Sequence, residues 1–173
     1  MTTRGKQAND AALFYLCGVL DSDGCISISK MHPGKQRTKA PRYVLTVNVV
    51  NTSADLMEWL VSNFGGRYKR RRRVSELHRQ TYDWWFNNRK ALELLKLVEP
   101  YLIVKGDQAR LGISLIEGWV QLREGPGTRT PPEETARREA HYQRMKALNQ
   151  TGCAAATTKS PGSCEVPQDD AIV

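Results

Sequence analysis

The sequence predicts an α+β domain: one four-stranded antiparallel sheet with helices on one face, in the order αββαββα. Three observations point there. Segments with helical apolar spacing are separated by pairs of segments that alternate apolar and polar residues. Short polar turns, several holding Gly or Pro, join the alternating segments. The basic residues gather on the strand positions that the apolar residues leave free, so one face of the sheet is expected to be open and cationic.

The first helix spans residues 10–21. Asp10 is a suitable N-cap before an apolar run in which Leu13, Leu16, Val19 and Leu20 fall at helical spacing. Apolar residues surround the segment, so it should be buried on nearly all sides. Gly24 is expected to end it as a left-handed residue. Cys25–Met31 (CISISKM) alternates as a strand. HPGKQRTKAP is a polar turn, and RYVLTVNVV from Arg42 is the clearest strand. Tyr43, Leu45, Val47 and Val49 share its inner face, and Arg42, Val44, Thr46 and Asn48 its outer face. A second helix covers 53–63, capped by Ser53, with Leu56, Trp59 and Leu60 inward and Gly65–Gly66 closing it. Strands follow at about Arg67–Arg73 and Gln80–Asn87. Tyr68, Tyr82, Trp84 and Phe86 point inward; Arg67, Lys69, Arg71, Arg73, Thr81, Asp83 and Trp85 point outward. Adjacent Trp84 and Trp85 cannot both face the core. Further helices are read at about Arg89–Val98, Asp107–Leu122 and Glu133–Asn149. The domain is placed at 11–150, between an N-terminal arm (1–10) and a tail (151–173) of Ala, Thr, Ser, Gly and Pro that is expected to be disordered.

The net charge is +8, and it comes in blocks. No acidic residue lies between Gly24 and Ala54, and six of the seven residues Arg67–Arg73 are basic. Such blocks favour a polyanionic partner. A basic sheet face suits the DNA major groove, which admits a two-stranded ribbon. No apolar run approaches membrane-spanning length, and the first residues lack the apolar stretch of a secretory signal. Cys17, Cys25, Cys153 and Cys164 show no CxxC spacing, which argues against structural zinc and a disulfide framework. Cys17 and Cys25 are read as small buried residues.

The chemistry sits at Leu16–Ile26 (LCGVLDSDGCI), where an apolar helix ends in two carboxylates, Asp21 and Asp23. A carboxylate there meets the unfavourable end of the helix dipole and needs a compensating cation. A hard ion such as Mg²⁺ prefers oxygen ligands of this kind. Gly18 lets another backbone approach, so the helix suits packing against a copy of itself. The DxDG string does not fit a calcium loop, whose first and twelfth positions would fall on Val19 and Lys30.

LCGVLDSDG resembles the LAGLIDADG motif of homing endonucleases at seven of nine positions, counting Val/Leu and Leu/Ile exchanges; Cys17 and Ser22 depart from it. WWFNNRKALELLKLVEPYLIVKGDQA, Trp84–Ala109, resembles that family's second signature: an aromatic strand, a helix, a Pro-Tyr-Leu corner, then Lys and Gln. The resemblance runs from about Ala12 to Trp119. It implies a site-specific DNA endonuclease with Asp23 as main metal ligand, the Ser22 carbonyl also reaching a metal, Lys105 near the scissile phosphate and Asn51 ordering the water network. Family members usually carry Gln at the Asn51 position, and a basic residue frequent near Asp55 is missing here. The implied ion is Mg²⁺ or Mn²⁺, with Ca²⁺ as a non-catalytic substitute. One motif per chain implies a homodimer through Leu13, Leu16, Cys17, Gly18 and Asp21, intracellular and acting on a near-palindromic duplex. Cuts across the minor groove with short 3′ overhangs are implied as well. Ser27, Ser29, Arg42, Thr46, Asn48, Lys69, Arg71 and Asp83 are the candidates for base contacts, while Arg37, Lys39, Arg67, Arg73 and Trp85 complete the DNA-binding set. The alternatives on this scaffold are an RNA-binding intron maturase and a catalytically silent DNA-binding protein.

Overall fold

The computed structural model describes residues 10–31, 41–73, 75, 77–121 and 130–154. Helix α1 (Asp10–Asp23) leads into strands β1 (Gly24–Met31) and β2 (Arg42–Asn51). Helix α2 (Ala54–Phe64) leads into β3 (Arg67–Arg70) and β4 (Tyr82–Asn87). Then come α3 (Asn88–Val98), a single 3-10 turn (Glu99–Tyr101), α4 (Gly106–Gln121) and α5 (Pro132–Ala154). The strands form one antiparallel sheet in the order β1-β2-β4-β3, as two hairpins joined along β2 and β4. The α+β architecture is therefore the expected one.

Alternation along the strands separates the two faces. Ile26, Ile28, Tyr43, Leu45, Val47, Val49, Trp84 and Phe86 are buried against the helices. Trp84 is fully buried, and its indole N–H donates to the Gly65 carbonyl at 2.9 Å, so the large ring enters the core without an orphaned donor. Trp85 takes the opposite face. The α2 boundaries follow local chemistry. The Ser53 hydroxyl accepts from the Leu56 N–H at 3.2 Å, and Gly65 and Gly66 both adopt positive φ after the last turn.

Four expectations are corrected. Gly24 is not left-handed; it opens β1, and glycine is needed there for space. A Cβ at Gly24 would lie 2.6 Å from the Leu20 carbonyl oxygen and 2.7 Å from its Cα. Cys25 is exposed, because it follows Gly24 on the outward phase of β1; Cys17 is buried as expected. α1 is not buried all round: Leu13, Leu16, Cys17, Val19 and Leu20 face the core, while Phe14 and Tyr15 stay more than half exposed. β3 ends at Arg70, with one further ladder bond from the Arg71 N–H to the Thr81 carbonyl at 2.9 Å, so Arg71 and Arg73 lie beyond the strand. In addition, α5 continues to Ala154, past the expected start of the tail; residues 1–9 and 155–173 lie outside the described residues.

Helix α5 docks on β1 and β2 through a polar cluster. Glu139 pairs with Lys30 at 2.7 Å and accepts a hydrogen bond from the Tyr43 hydroxyl. Hydrogen bonds from Lys30, Tyr43 and Gln143 hold the Glu139 carboxyl down at about 2, while burial and the neighbouring Glu139 push the Tyr43 phenol up to about 12. Lys30 sits at an inward strand position, and this carboxylate is what lets its charge stay there. In the first turns of α5, burial works to raise the Glu134 carboxyl, but hydrogen bonds from Arg137 and Arg138 outweigh it and hold the group below its ordinary value. Arg138 also lies over the Trp119 ring at 4.7 Å.

Candidate active site and nucleic-acid interface

The C-terminal end of α1 has no basic residue in its last turn. The missing charge is supplied by Lys105, from the turn between the 3-10 segment and α4. Its Nζ donates to the carbonyls of Leu20 and Asp21, both at 2.7 Å. These carbonyls belong to the unsatisfied end of the helix, where a cation is favourable. Asp21 returns the contact: its two carboxylate oxygens accept the N–H groups of Ile103 at 2.8 Å and Lys105 at 3.0 Å. The helix end and the 103–105 turn thus hold each other by four hydrogen bonds.

Asp23, the last residue of α1, is exposed, and one of its oxygens accepts the Asn51 side-chain N–H at 2.9 Å. Asn51 in turn is fixed by accepting the Ser53 N–H at 2.9 Å. Strand β2 therefore steadies one Asp23 oxygen and leaves the other toward solvent. The Ser22 hydroxyl turns back to the Val19 carbonyl at 3.3 Å. The structure brings Asp23, Asn51 and Lys105 to one end of α1.

No cluster of three His, Cys, Asp or Glu side chains forms among the described residues. At the end of α1 the exposed carboxylate is Asp23, since Asp21 is engaged by the 103–105 turn. That donor set suits Mg²⁺, which is typically held by one or two carboxylates together with substrate phosphates and water.

The residues expected at a dimer contact divide. Leu13, Leu16 and Cys17 are buried in the chain's own core, and Asp21 is occupied by the 103–105 turn. Gly18 is open, with nothing within 4 Å of a Cβ built there. The exposed stripe of α1 consists of Ala11, Phe14, Tyr15, Gly18 and Ser22. Phe14 stacks edge-on against Tyr101, and Ile103 and Val104 beyond it are 92% and 67% exposed, so the apolar surface extends past the helix. Sequence reasoning missed this stripe because the helix is apolar on every side and carries no mark of which side stays free.

Strand register fixes neighbours on the open face. Cys25, Asn48, Trp85 and Arg67 form one row across all four strands. Ser27, Thr46 and Asn87 form a second, Ser29 and Val44 a third, and Val50, Asp83 and Lys69 a row on the other side. Arg42 opens β2 opposite Met31. The Thr46 hydroxyl donates to the Asn87 side-chain Oδ1 at 3.0 Å, the Asn48 side-chain N–H donates to Asp83 at 3.2 Å, and the Lys69 ammonium lies 4.9 Å from the Trp85 ring centre. Continuing the β4 alternation by one step would have found Asn87. Arg71 and Arg73 are exposed just past β3; Arg37 and Lys39 lie outside the described residues.

No family model matches the sequence, and no curated protein matches it. Solved structures do. The homing endonuclease I-CvuI, in complex with its target in the presence of Ca, shares 16% identity at a TM-score of 0.65, covering 91% of this chain and 87% of that one. The archaeal intron-encoded homing endonuclease I-Vdi141I, complexed with DNA, shares 17% identity at 0.64 over 80% of this chain and 84% of that one. The LAGLIDADG homing endonuclease I-SmaMI, bound to cleaved DNA, shares 15% at 0.56, with 89% of this chain matching 51% of that one. The chain thus has the homing-endonuclease fold. Another I-CvuI complex was solved in the presence of Mg.

Proposed function

We propose that the protein is a homodimeric, site-specific DNA endonuclease that works at DNA inside the cell and hydrolyses both strands of a long, near-palindromic duplex site with a divalent metal, Mg²⁺ or Mn²⁺. The observation that carries this reading is the meeting of Asp23, Asn51 and Lys105 at the end of a helix whose adjacent stripe is exposed, apolar and open at Gly18. Two copies packed through that stripe bring two Asp23 carboxylates together, and two open sheets face one duplex. Two-fold symmetry in the protein then calls for a near-palindromic target.

In this reading Asp23 would hold the metal, with the Ser22 carbonyl beside it as a further oxygen donor. The bound metal supplies Lewis acidity and a water of lowered pKa. Asn51 keeps the Asp23 carboxylate from rotating away. Lys105 places a positive charge beside the helix end, where it offsets charge that develops on the scissile phosphate. The sheet face positions the duplex, and its arginines and lysines make binding fall steeply with salt.

The test is incubation of a randomised duplex library with wild type and Asp23→Asn, in Mg²⁺ and in EDTA. Site-specific double-strand cutting that needs both Mg²⁺ and Asp23 supports the reading. A folded dimer that cuts nothing across the library refutes it and directs attention to RNA binding or silent DNA binding.

A further inference from the structure

Asp83 is an acid on a face that otherwise carries base. Its charged neighbours there, Lys69 directly opposite and Arg67 two residues along β3, are both cationic. A carboxylate directed at a phosphate-rich partner is repelled by it, so Asp83 weakens DNA binding unless it meets a hydrogen-bond donor. Lys69 lies directly opposite on β3, yet no ion pair joins the two among the described residues. The Lys69 ammonium instead rests over Trp85. One Asp83 oxygen takes the Asn48 amide N–H, and the other has no protein partner among the described residues. The strand pair therefore presents an ammonium and a carboxylate side by side, each held by a neighbour and neither neutralised by the other. Directly opposed positions have Cβ atoms roughly 4.5–5.5 Å apart, close enough to address one base pair.

We infer that Asp83 and Lys69 are the specificity-determining pair for a G·C base pair in each half of the DNA target, with Asn48 and Trp85 as positioning residues. In the major groove guanine shows two adjacent acceptors, N7 and O6, which suit a lysine ammonium. The paired cytosine shows one N4 donor, which suits a carboxylate. At an A·T pair the same ammonium meets one acceptor beside the adenine N6 donor. This inference rests on the endonuclease reading, since it concerns how that enzyme chooses its duplex.

The experiment is selection of bound duplexes from a randomised library in Ca²⁺, using the full chain as wild type, Asp83→Asn and Lys69→Met, followed by sequencing. Melting temperatures confirm that each variant is folded; Lys69 is exposed, so its variant keeps the test available if Asp83→Asn fails to fold. The expected result is a wild-type consensus with a G·C pair at one position in each half, weakened at that position alone by both variants. The change expected is roughly 5- to 150-fold in preference for that pair, the range for a good side-chain–base contact. Three results overturn the inference while leaving the endonuclease reading intact: an unchanged consensus in both variants, affinity lost uniformly over all sequences, or an A·T pair at the affected position. A wild type that selects no duplex sequence refutes the parent reading and this one together.

Discussion

Replacing Lys105 with Met tests the reciprocal clamp at the end of α1 through stability, a readout separate from catalysis. The substitution keeps most of the aliphatic stem and deletes two bonds of 2.7 Å to the Leu20 and Asp21 carbonyls. Hydrogen bonds to charged groups contribute about 1.5–3 kcal/mol when fully formed. A cation at a helix C-terminus adds about 0.3–1 kcal/mol. Lys105 is half-buried, so water replaces part of what is lost, and a net cost of about 2 kcal/mol is expected. For a chain of this size that lowers the melting temperature by roughly 4–8 °C. Asp21→Asn weakens the other half of the clamp, the contacts to the Ile103 and Lys105 N–H groups. Because both halves hold the same turn, the double variant should cost less than the sum of the two singles, with a coupling of about 0.5–3 kcal/mol. Thermal unfolding of wild type, both single variants and the double variant measures this. A Lys105→Met protein that melts like wild type, or strictly additive losses, would refute the clamp.

Three further outcomes are expected. Gly24→Ala places a methyl group against the Leu20 backbone and should destabilise the fold by about 1–3 kcal/mol, the usual cost of overpacking, read from urea unfolding. Gly18→Glu should leave the monomer fold intact, since its Cβ meets nothing within the chain, but should abolish self-association in sedimentation velocity; a dimer that persists would place the contact elsewhere. Glu139 is held near 2 against an ordinary 4.5, so its contribution is fully present above about pH 4.5 and is lost as pH falls toward 2. For a partly exposed pair this amounts to about 1 kcal/mol, and Glu139→Gln should flatten that part of the acid-stability curve.

The architecture was legible because periodicity reports burial directly. The alternation of Tyr43, Leu45, Val47 and Val49 against Val44, Thr46 and Asn48 assigns both faces of β2, and the structure agrees. Ser53 and Gly65–Gly66 marked the ends of α2 through capping chemistry that acts locally. Asp23, Asn51 and Lys105 were found through resemblance, and their convergence on one helix end is a tertiary fact that spacing alone does not contain. The rest was not legible where a residue's role is set by what packs against it. Gly24 answers to the space above Leu20, Lys30 to Glu139 on α5, and the free side of α1 to a surface absent from its own pattern. Asn88, with φ of 47°, accepts the Leu45 N–H at 3.2 Å and turns β4 into α3; nothing beside it in sequence marks that role.

The margins of the sheet bear on how this protein behaves at high concentration. Strand β3 is four residues long and mostly basic, and charge repulsion there discourages another chain from adding a strand. On the opposite margin the Ile26 carbonyl of β1 is already taken by the Asn149 amide at 3.0 Å, from the last turns of α5. A sheet left bare on one side would otherwise invite fibril-like stacking during synthesis or storage. Shortening α5 before Asn149 should therefore show itself first as turbidity, with β1 newly available as a template.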